Sequence, residues 1–255
     1  MSIIYRLCSS NEDFADIKKL ETLVWQMPEY EAITTHTLHV LKHIGGLVMG
    51  AFNDGEMIGM SVAFPTQAKG QLWSHMAAVL PKYQGRGIGY QIKQAQRDLA
   101  LKMGYSHMHW TFDPAMRGNA HFNFHLLGAY ANIYHENFYG LMSDGINAGV
   151  PSDRFEAIWD LTQATDVQDP ISDTISFLLS SDNSAPIISN QASDAYHAVQ
   201  CPYDYRALKA QSLDLAIEWR YRMREVLSSA FADGYRVIDF VTRHDSKQCW
   251  YVLKK

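Results

Sequence analysis

The sequence predicts a mixed α/β (α+β) fold in which a mostly antiparallel sheet is flanked by helices. Three observations lead to this class. Residues 3–135 alternate short β-prone runs with stretches of helical spacing. Asp54-Gly55 joins two apolar runs, which is a strong hairpin signal. Ser212 precedes a long amphipathic stretch that is followed by two more β-prone runs, so helices and strands share one core.

The first part of the chain is predicted to run strand, two helices, three strands, helix, strand, helix and strand. Ser9, Ser10 and Asn11 offer N-caps to the first helix. Gly104 and Gly128 are typical of the ends of the later helices. In chain order the predicted elements cover residues 3–7, 14–24, 35–43, 46–52, 57–64, 71–80, 87–103, 105–112, 119–127 and 129–135.

The rest of the chain is predicted to be an irregular connection and a smaller C-terminal domain. Residues 161–200 are rich in Ser, Asp, Gln and Pro and show few long apolar patterns. Ser212 can cap a long helix that Asp233-Gly234 ends, and residues 235–242 and 249–253 look like a closing β-hairpin. The apolar stripe of that helix consists of Ala216, Trp219, Met223, Val226 or Leu227, and Ala230. The predicted domains are 1–148, 149–200 and 201–255.

Composition excludes several classes of protein. The chain has 255 residues, 47% of them apolar, and a formal net charge of -5, which gives no basic footprint for nucleic acid or anionic membranes. The three cysteines, Cys8, Cys201 and Cys249, match neither a zinc site nor a disulfide framework, so no metal is expected. Without a signal-like N-terminus or a spanning apolar run, we expect a cytoplasmic protein.

A glycine-rich turn predicts an anion site. Gln84-Gly85-Arg86-Gly87-Ile88-Gly89 follows an apolar strand and opens an amphipathic helix, so backbone N–H groups converge where the helix dipole is positive. The Rossmann spacing fails because Tyr90 stands where its third glycine belongs, and the Lys-Ser/Thr of a P-loop is absent. The alternative is a turn that serves only strand-to-helix packing.

The turn matches the Q/R-x-x-G-x-G/A signature of the GNAT (GCN5-related N-acetyltransferase) superfamily, and the chain resembles that family from Ala77 to the end of the following helix. Residues 110–140, 151–159 and 216–220 are similar to a less-studied branch of predicted acyltransferases with an added C-terminal domain. The resemblance implies a GNAT-like sheet, with acetyl-CoA or another acyl-CoA as co-substrate.

The resemblance also implies which residues hold the cofactor. The backbone of Ala77 and Val79 would pair with the pantetheine arm, and the turn would hold the pyrophosphate. Asn119 and Phe124, on the helix of residues 119–127, are assigned to the same cofactor. Asn119 has an alternative role as the N-cap of that helix. The cofactor residues of the turn are Gln84, Gly85, Arg86, Gly87, Ile88 and Gly89.

Candidate catalytic groups are His75, Asp113 and Tyr139. Period-two alternation places His75 on the same face as Ala77 and Val79, and some family members carry a histidine there as general base. Its alternative is a packed histidine with one hydrogen bond. Asp113 follows a strand and is expected either to bind an amine or to cap a turn.

The family's usual acid is missing from this sequence. A tyrosine four residues before the glycine that ends the helix serves that role in many members, and Phe124 occupies the place here. Tyr139 is the candidate replacement, with Tyr130 and Tyr134 as alternatives and direct thiolate departure as another.

The expected function is acyl-CoA-dependent N-acyl transfer, by direct attack of an amine on the thioester. The expected partner is a small-molecule or amino-acid-like amine, with no nucleic acid and no membrane, and a homodimer is left open. The alternative is a non-catalytic acyl-CoA-binding or sensing module on the same scaffold.

Overall fold

A computed structural model describes residues 2–140, 149–163, 175–189 and 196–255. Two short segments complete the regular elements: a 3-10 turn at Pro81–Tyr83 and a π-helix at His121–Leu126. The strands are β1 (Ile3–Leu7), β2 (Leu47–Asn53), β3 (Glu56–Pro65), β4 (Gln71–Val79), β5 (His107–Phe112), β6 (Tyr130–His135), β7 (Arg154–Asp160), β8 (Ser176–Asp182), β9 (Ala185–Ile188), β10 (Tyr196–Cys201), β11 (Arg236–Arg243) and β12 (Gln248–Lys254). The helices are α1 (Asn11–Trp25), α2 (Thr35–His43), α3 (Ile88–Lys102), α4 (Arg117–Ala120), α5 (Tyr205–Gln211) and α6 (Leu213–Ala232).

The chain forms two compact units. Unit 1 consists of Met1–Trp110 and Asp160–Gln163, and unit 2 consists of Thr111–Trp159 and Ala164–Lys255. The boundaries of these units differ from those of the predicted domains 1–148, 149–200 and 201–255. The division into those three domains stays a prediction.

Unit 1 is built on the strand order β1-β2-β3-β4-β5. All neighbours in it are antiparallel except β4 and β5, which are parallel. One core cluster joins Phe14 of α1 and Leu38 of α2 to Val62 of β3. A second cluster joins Ile88 and Ile92 of α3 to β2 and β3. The two helical layers therefore cover the two faces of this sheet, which is the arrangement that the sequence predicts.

The first helix begins where the sequence places it. Ser10 is its N-cap and accepts a hydrogen bond from the amide of Asp13, while the Asp13 carboxylate accepts from the backbone of Ser10. This reciprocal capping box satisfies two N–H groups that the helix cannot pair. Arg6 of β1 also binds the Asp13 carboxylate, at 2.7 and 2.8 Å, so the cap ties α1 to the sheet.

Unit 2 is built on the strand order β7-β6-β11-β12-β10-β8-β9. Its helix α6 has the predicted N-cap, since the Ser212 hydroxyl accepts from the amide of Leu215. The predicted apolar stripe of α6 is buried, and β11 and β12 form the predicted antiparallel hairpin. The hairpin also pairs with β6, through Val237 and Ala131, so it extends a larger sheet.

The segment 149–200, predicted as an irregular connection, contains the strands β7, β8 and β9 and most of β10. Strand β8 carries three serines and only one fully buried side chain, Leu179. The alternation of apolar and polar residues is therefore too weak to predict a strand from this stretch of sequence. Pairing with β9 and β10 forms the strand instead. In the described part of the chain, no helix is both long and apolar enough to cross a membrane.

Candidate functional site

The glycine-rich turn joins the end of β4 to α3 through the 3-10 turn at Pro81–Tyr83. Gly85 and Gly87 both take left-handed backbone conformations, with φ of 74° and 76°. Gly87 is the N-cap of α3 and gives it no side-chain cap. The Gln84 side-chain amide donates to the Val79 carbonyl at 2.9 Å and ties the turn back to β4. Glycine supplies a conformation here that other residues adopt only at a cost.

The amides at the start of α3 are free to bind an anion. The first hydrogen bond that closes on the cap runs from the Gln91 amide to the Gly87 carbonyl at 3.1 Å, so the three N–H groups before Gln91 lack the usual helical partner. Residues 84–87 are exposed. A Cβ atom at Gly85 or Gly87 would meet nothing within 4 Å. The space beside these glycines is therefore open enough for a ligand to approach the backbone.

Strands β4 and β5 pair along only part of their length. Their parallel ladder covers Gln71–Trp73 of β4, whereas the antiparallel ladder with β3 continues as far as Val79. Of the described strands, β3 alone pairs with the last part of β4. Ala77 is exposed and Val79 half-buried in this part. An extended amide chain can pair with such an edge, as strands do.

Strand β4 carries a bulge at His75. Its neighbour Ser74 pairs with Ala63 of β3, and Met76 pairs with Val62, so His75 is an extra residue in the ladder. The His75 ring lies 5.6 Å from that of Phe64, which packs with the cluster of α1 and α2.

The prediction that His75 shares a face with Ala77 and Val79 is therefore wrong. Val79 packs with the cluster of α3, on the other side of the sheet from the His75–Phe64 contact. The bulge breaks the period-two alternation on which the prediction relied, because two residues of β4 occupy the space of one.

The environment of His75 favours a neutral imidazole. Part of the His75 side chain is exposed, but neighbouring protein atoms displace water from around the ring. This desolvation lowers the pKa of the imidazole from its usual value. Desolvation penalises the charged form, so the neutral form gains at neutral pH. A neutral imidazole can accept a proton, which is the property that a general base needs.

Lys93 of α3 is a buried titratable group that sequence reasoning missed. Its Nζ atom lies 3.1 Å from the Ser74 hydroxyl, 3.2 Å from Oε1 of Gln96 and 3.1 Å from Sδ of Met108, and 4.4 Å from the Trp110 ring centroid. Burial lowers the pKa of Lys93 to about 7. The available signal was helical spacing, which places residues 93, 96 and 100 on one buried stripe of α3.

Asp113 lies in unit 2, in a buried ion pair with Arg220. Its two carboxylate oxygens accept from the two terminal nitrogens of Arg220 at 2.5 and 2.8 Å, and Oδ1 also accepts from the amide of Ala115. Burial lowers the pKa of Arg220, but attraction to Asp113 outweighs it and the net direction is upward. The carboxylate is thus committed to a turn and to Arg220. This geometry supports the turn-residue alternative over amine binding.

Phe124 and Asn119 also belong to unit 2. Phe124 is 1% exposed and packs edge-on against Phe112 and Tyr251, so the predicted cofactor residue is a core residue of this unit. The reason is the π-helix, which carries Phe124 on its buried side. Asn119 is exposed, and the N-cap of α4 is Met116, so the alternative capping role for Asn119 is wrong.

Of the candidate acids, Tyr139 is the most accessible. It is 53% exposed, and its hydroxyl lies 3.2 Å from Oγ1 of Thr111. Tyr134 instead donates to the Asp153 carboxylate at 2.8 Å, and burial raises its pKa well above the usual value. Tyr134 is therefore held in a structural network.

The turn, Ala77, Val79 and His75 belong to consecutive elements of unit 1, with His75 on the opposite side of the sheet from Val79. Asp113, Asn119, Phe124 and Tyr139 belong to unit 2. Residues 11–126, which include the turn and β4, match the acetyltransferase (GNAT) family. These residues form a GNAT-family domain. A comparison with curated proteins finds no match for the chain.

Solved structures show the same fold for the GNAT domain. A GNAT-family protein of Desulfovibrio desulfuricans is 17% identical, with a TM-score of 0.52, over 63% of this chain and all of its own. The ribosomal-protein-S18-alanine N-acetyltransferase of Escherichia coli is 15% identical, with a TM-score of 0.52, over 66% and 99%. A Salmonella typhimurium protein solved with its cofactor acetyl-CoA is 14% identical, with a TM-score of 0.52, over 65% and 98%.

Within the GNAT domain, the signature residues and the free helix amides coincide. The left-handed glycines and the unpaired N–H groups at the start of α3 fit a diphosphate, since each amide presents a donor and the helix dipole adds a positive potential. The described residues contain no cluster of three or more side chains able to hold a metal ion.

Proposed function

We propose that this protein is an acyl-CoA-dependent N-acyltransferase that uses acetyl-CoA. One observation carries the proposal: the left-handed turn at Gly85 and Gly87 opens α3 with unpaired amides, and among the described residues nothing lies within 4 Å of a Cβ built on either glycine. The diphosphate of the cofactor would bind these amides, and its amide-containing arm would pair with the last part of β4.

The proposed reaction is direct transfer. The acceptor nitrogen bonds to the thioester carbonyl carbon, the carbon–sulfur bond breaks, and CoA leaves as the thiolate, which then takes a proton from water while protonated His75 returns its proton to water. His75 takes the proton that the amine loses, which its lowered pKa supports because the imidazole is neutral at pH 7. A further support is the position of His75 at the bulge of β4, directly before the part of the strand with which the arm of the cofactor would pair.

The proposed acceptor is a primary amine on a small or amino-acid-like molecule. The E. coli structural neighbour is named for acetylation of an alanine nitrogen. For this chain, too, the proposal is that the acyl group is transferred to a nitrogen atom. The three free cysteines support a reducing compartment such as the cytoplasm.

One observation favours a second candidate function, a non-catalytic acyl-CoA sensor. Phe124, at the position of the usual tyrosine acid, is buried among aromatic rings and has no proton to donate. Release of CoA thiol from acetyl-CoA in the presence of a panel of primary amines distinguishes the two. Turnover supports the enzyme, whereas tight CoA binding without thiol release supports the sensor.

A matched pair of variants tests the cofactor site. Asn and Asp have the same shape and both tolerate the left-handed conformation that Gly87 adopts. The charge of Gly87→Asp, placed beside the diphosphate, should weaken CoA binding about tenfold or more relative to Gly87→Asn in titration calorimetry. Equal affinity of the two variants for CoA would place the diphosphate elsewhere.

A further inference from the structure

A cavity of about 280 Å³ lies within unit 2, between the C-terminal half of α6 and the strands β8, β9 and β10. This volume approaches the lower end of the range of small-molecule pockets. Neither the glycine-rich turn nor β4 contributes a residue to its lining. The apolar part of the wall consists of Leu178, Ile188, Val226 and Ala230.

Two polar side chains of the wall fix each other. His197 is 1% exposed, and its Nε2 atom lies 3.1 Å from the Tyr235 hydroxyl, with the two ring centroids 5.0 Å apart. A hydroxyl has one proton and two lone pairs, so the Tyr235 oxygen can accept from a ligand while it stays bound to His197. This pair is a prepared acceptor beside the apolar part of the wall.

The charged side chains that line the cavity favour a cation. Both charged side chains in its lining are carboxylates, Glu225 and Asp233. Glu225 pairs with Arg222 at 3.1 Å, whereas Asp233 makes no ion pair among the described residues. Asp233 is also the C-cap of α6, where the helix dipole is negative and cations are stabilised. Lys255 already places its Nζ atom 5.2 Å from the Tyr235 ring centroid, so the ammonium group of a ligand is left to Asp233 and the Tyr235 hydroxyl and not to this ring face.

We infer that this cavity binds a small organic ammonium ion. The apolar body of the ligand lies against the wall of α6, β8 and β9, and its ammonium group donates to Asp233 and to the Tyr235 hydroxyl. The inference stands on the cavity and its charges alone, so its outcome is independent of acyl transfer at β4 and α3.

Three probes that share a phenylethyl body and differ in the charge of their end group test the inference on the full chain. Ligand-observed NMR at pH 7 measures binding of 2-phenylethylamine, 2-phenylethanol and 3-phenylpropionate. We expect the ammonium ion to bind about threefold or more tighter than the alcohol, as one partly exposed charge pair allows, and the carboxylate to bind most weakly. Equal affinity for all three probes, or no binding of the amine, would overturn the inference.

Variants of lining residues test whether the probe binds in this cavity. Asp233→Asn should reduce the affinity for 2-phenylethylamine to that for 2-phenylethanol. Asp245 is an exposed aspartate outside the lining, so Asp245→Asn should leave the affinities for both probes unchanged. Ser229 is an exposed residue of the lining, so Ser229→Trp should fold, fill the cavity and abolish binding, while Ser229→Ala keeps it. Binding that survives Ser229→Trp, or that ignores Asp233→Asn, refutes the assignment.

Discussion

Lys93 gives unit 1 a stability that depends on pH, and Lys93→Met should reveal it. The amine is 3% exposed in the middle of α3 and hydrogen-bonds to Ser74 and Gln96. Methionine has a similar length and no charge, so the exchange removes the cost of burying an ammonium ion and also removes those hydrogen bonds.

The magnitude follows from the pKa. Burial lowers the pKa of Lys93 from 10.5 to about 7. At 1.36 kcal/mol for each tenfold change in proton affinity, the buried ammonium costs about 5 kcal/mol. This cost is fully present below pH 7, where both folded and unfolded chains are protonated. It falls as the pH rises to 10.5, because the folded state releases its proton first, and it is absent above that pH.

The two effects of Lys93→Met therefore have different pH dependence. Loss of the hydrogen bonds to Ser74 and Gln96 costs about 2 kcal/mol at every pH. We expect the variant to be more stable than the wild type by about 3 kcal/mol at pH 6 and less stable by about 2 kcal/mol at pH 10.5.

Urea unfolding from pH 6 to pH 10.5 measures this difference. Lys102→Met, at an exposed lysine in the last turn of the same helix, is the control and should follow the wild-type curve. A constant free-energy difference between Lys93→Met and the wild type across this range would show that Lys93 keeps an ordinary pKa, and the reasoning would fail.

Three further predictions concern the ion pair, the proposed base and the thiols. Asp113→Ala should lower the free energy of unfolding by about 3–5 kcal/mol because it strands Arg220, and adding Arg220→Leu should restore part of the loss in a double-mutant cycle. If His75 is the base, kcat/KM should rise with pH through one limb below the usual histidine pKa, and His75→Ala should lower it about 10²-fold or more, whereas an unchanged profile returns His75 to a structural role. Burial raises the pKa of Cys8 to about 12, so native Cys8 should react with Ellman's reagent about 10²-fold slower than in guanidinium chloride, and equal rates would contradict its burial.

The glycine-rich turn and the C-terminal helix could be predicted because their signals are local. The residues from Gln84 to Gly89 set the left-handed conformation and the start of α3 within six positions. Ser212, the apolar stripe and Asp233-Gly234 do the same for α6. In both, the side chains that decide the backbone are adjacent in the chain, so the sequence contains the whole argument.

The sequence by itself determined the fold class, the family resemblance and the glycine-rich turn, since each depends on spacing along the chain. Tertiary structure alone decided the face of His75, because the bulge arises from the register of β4 against β3. It also decided the role of Asp113, whose partner Arg220 lies 107 positions away, and the pKa of Lys93, which depends on burial by other elements. Desolvation and ion pairing act through space, so groups that titrate or pair cannot be assigned before the chain is folded.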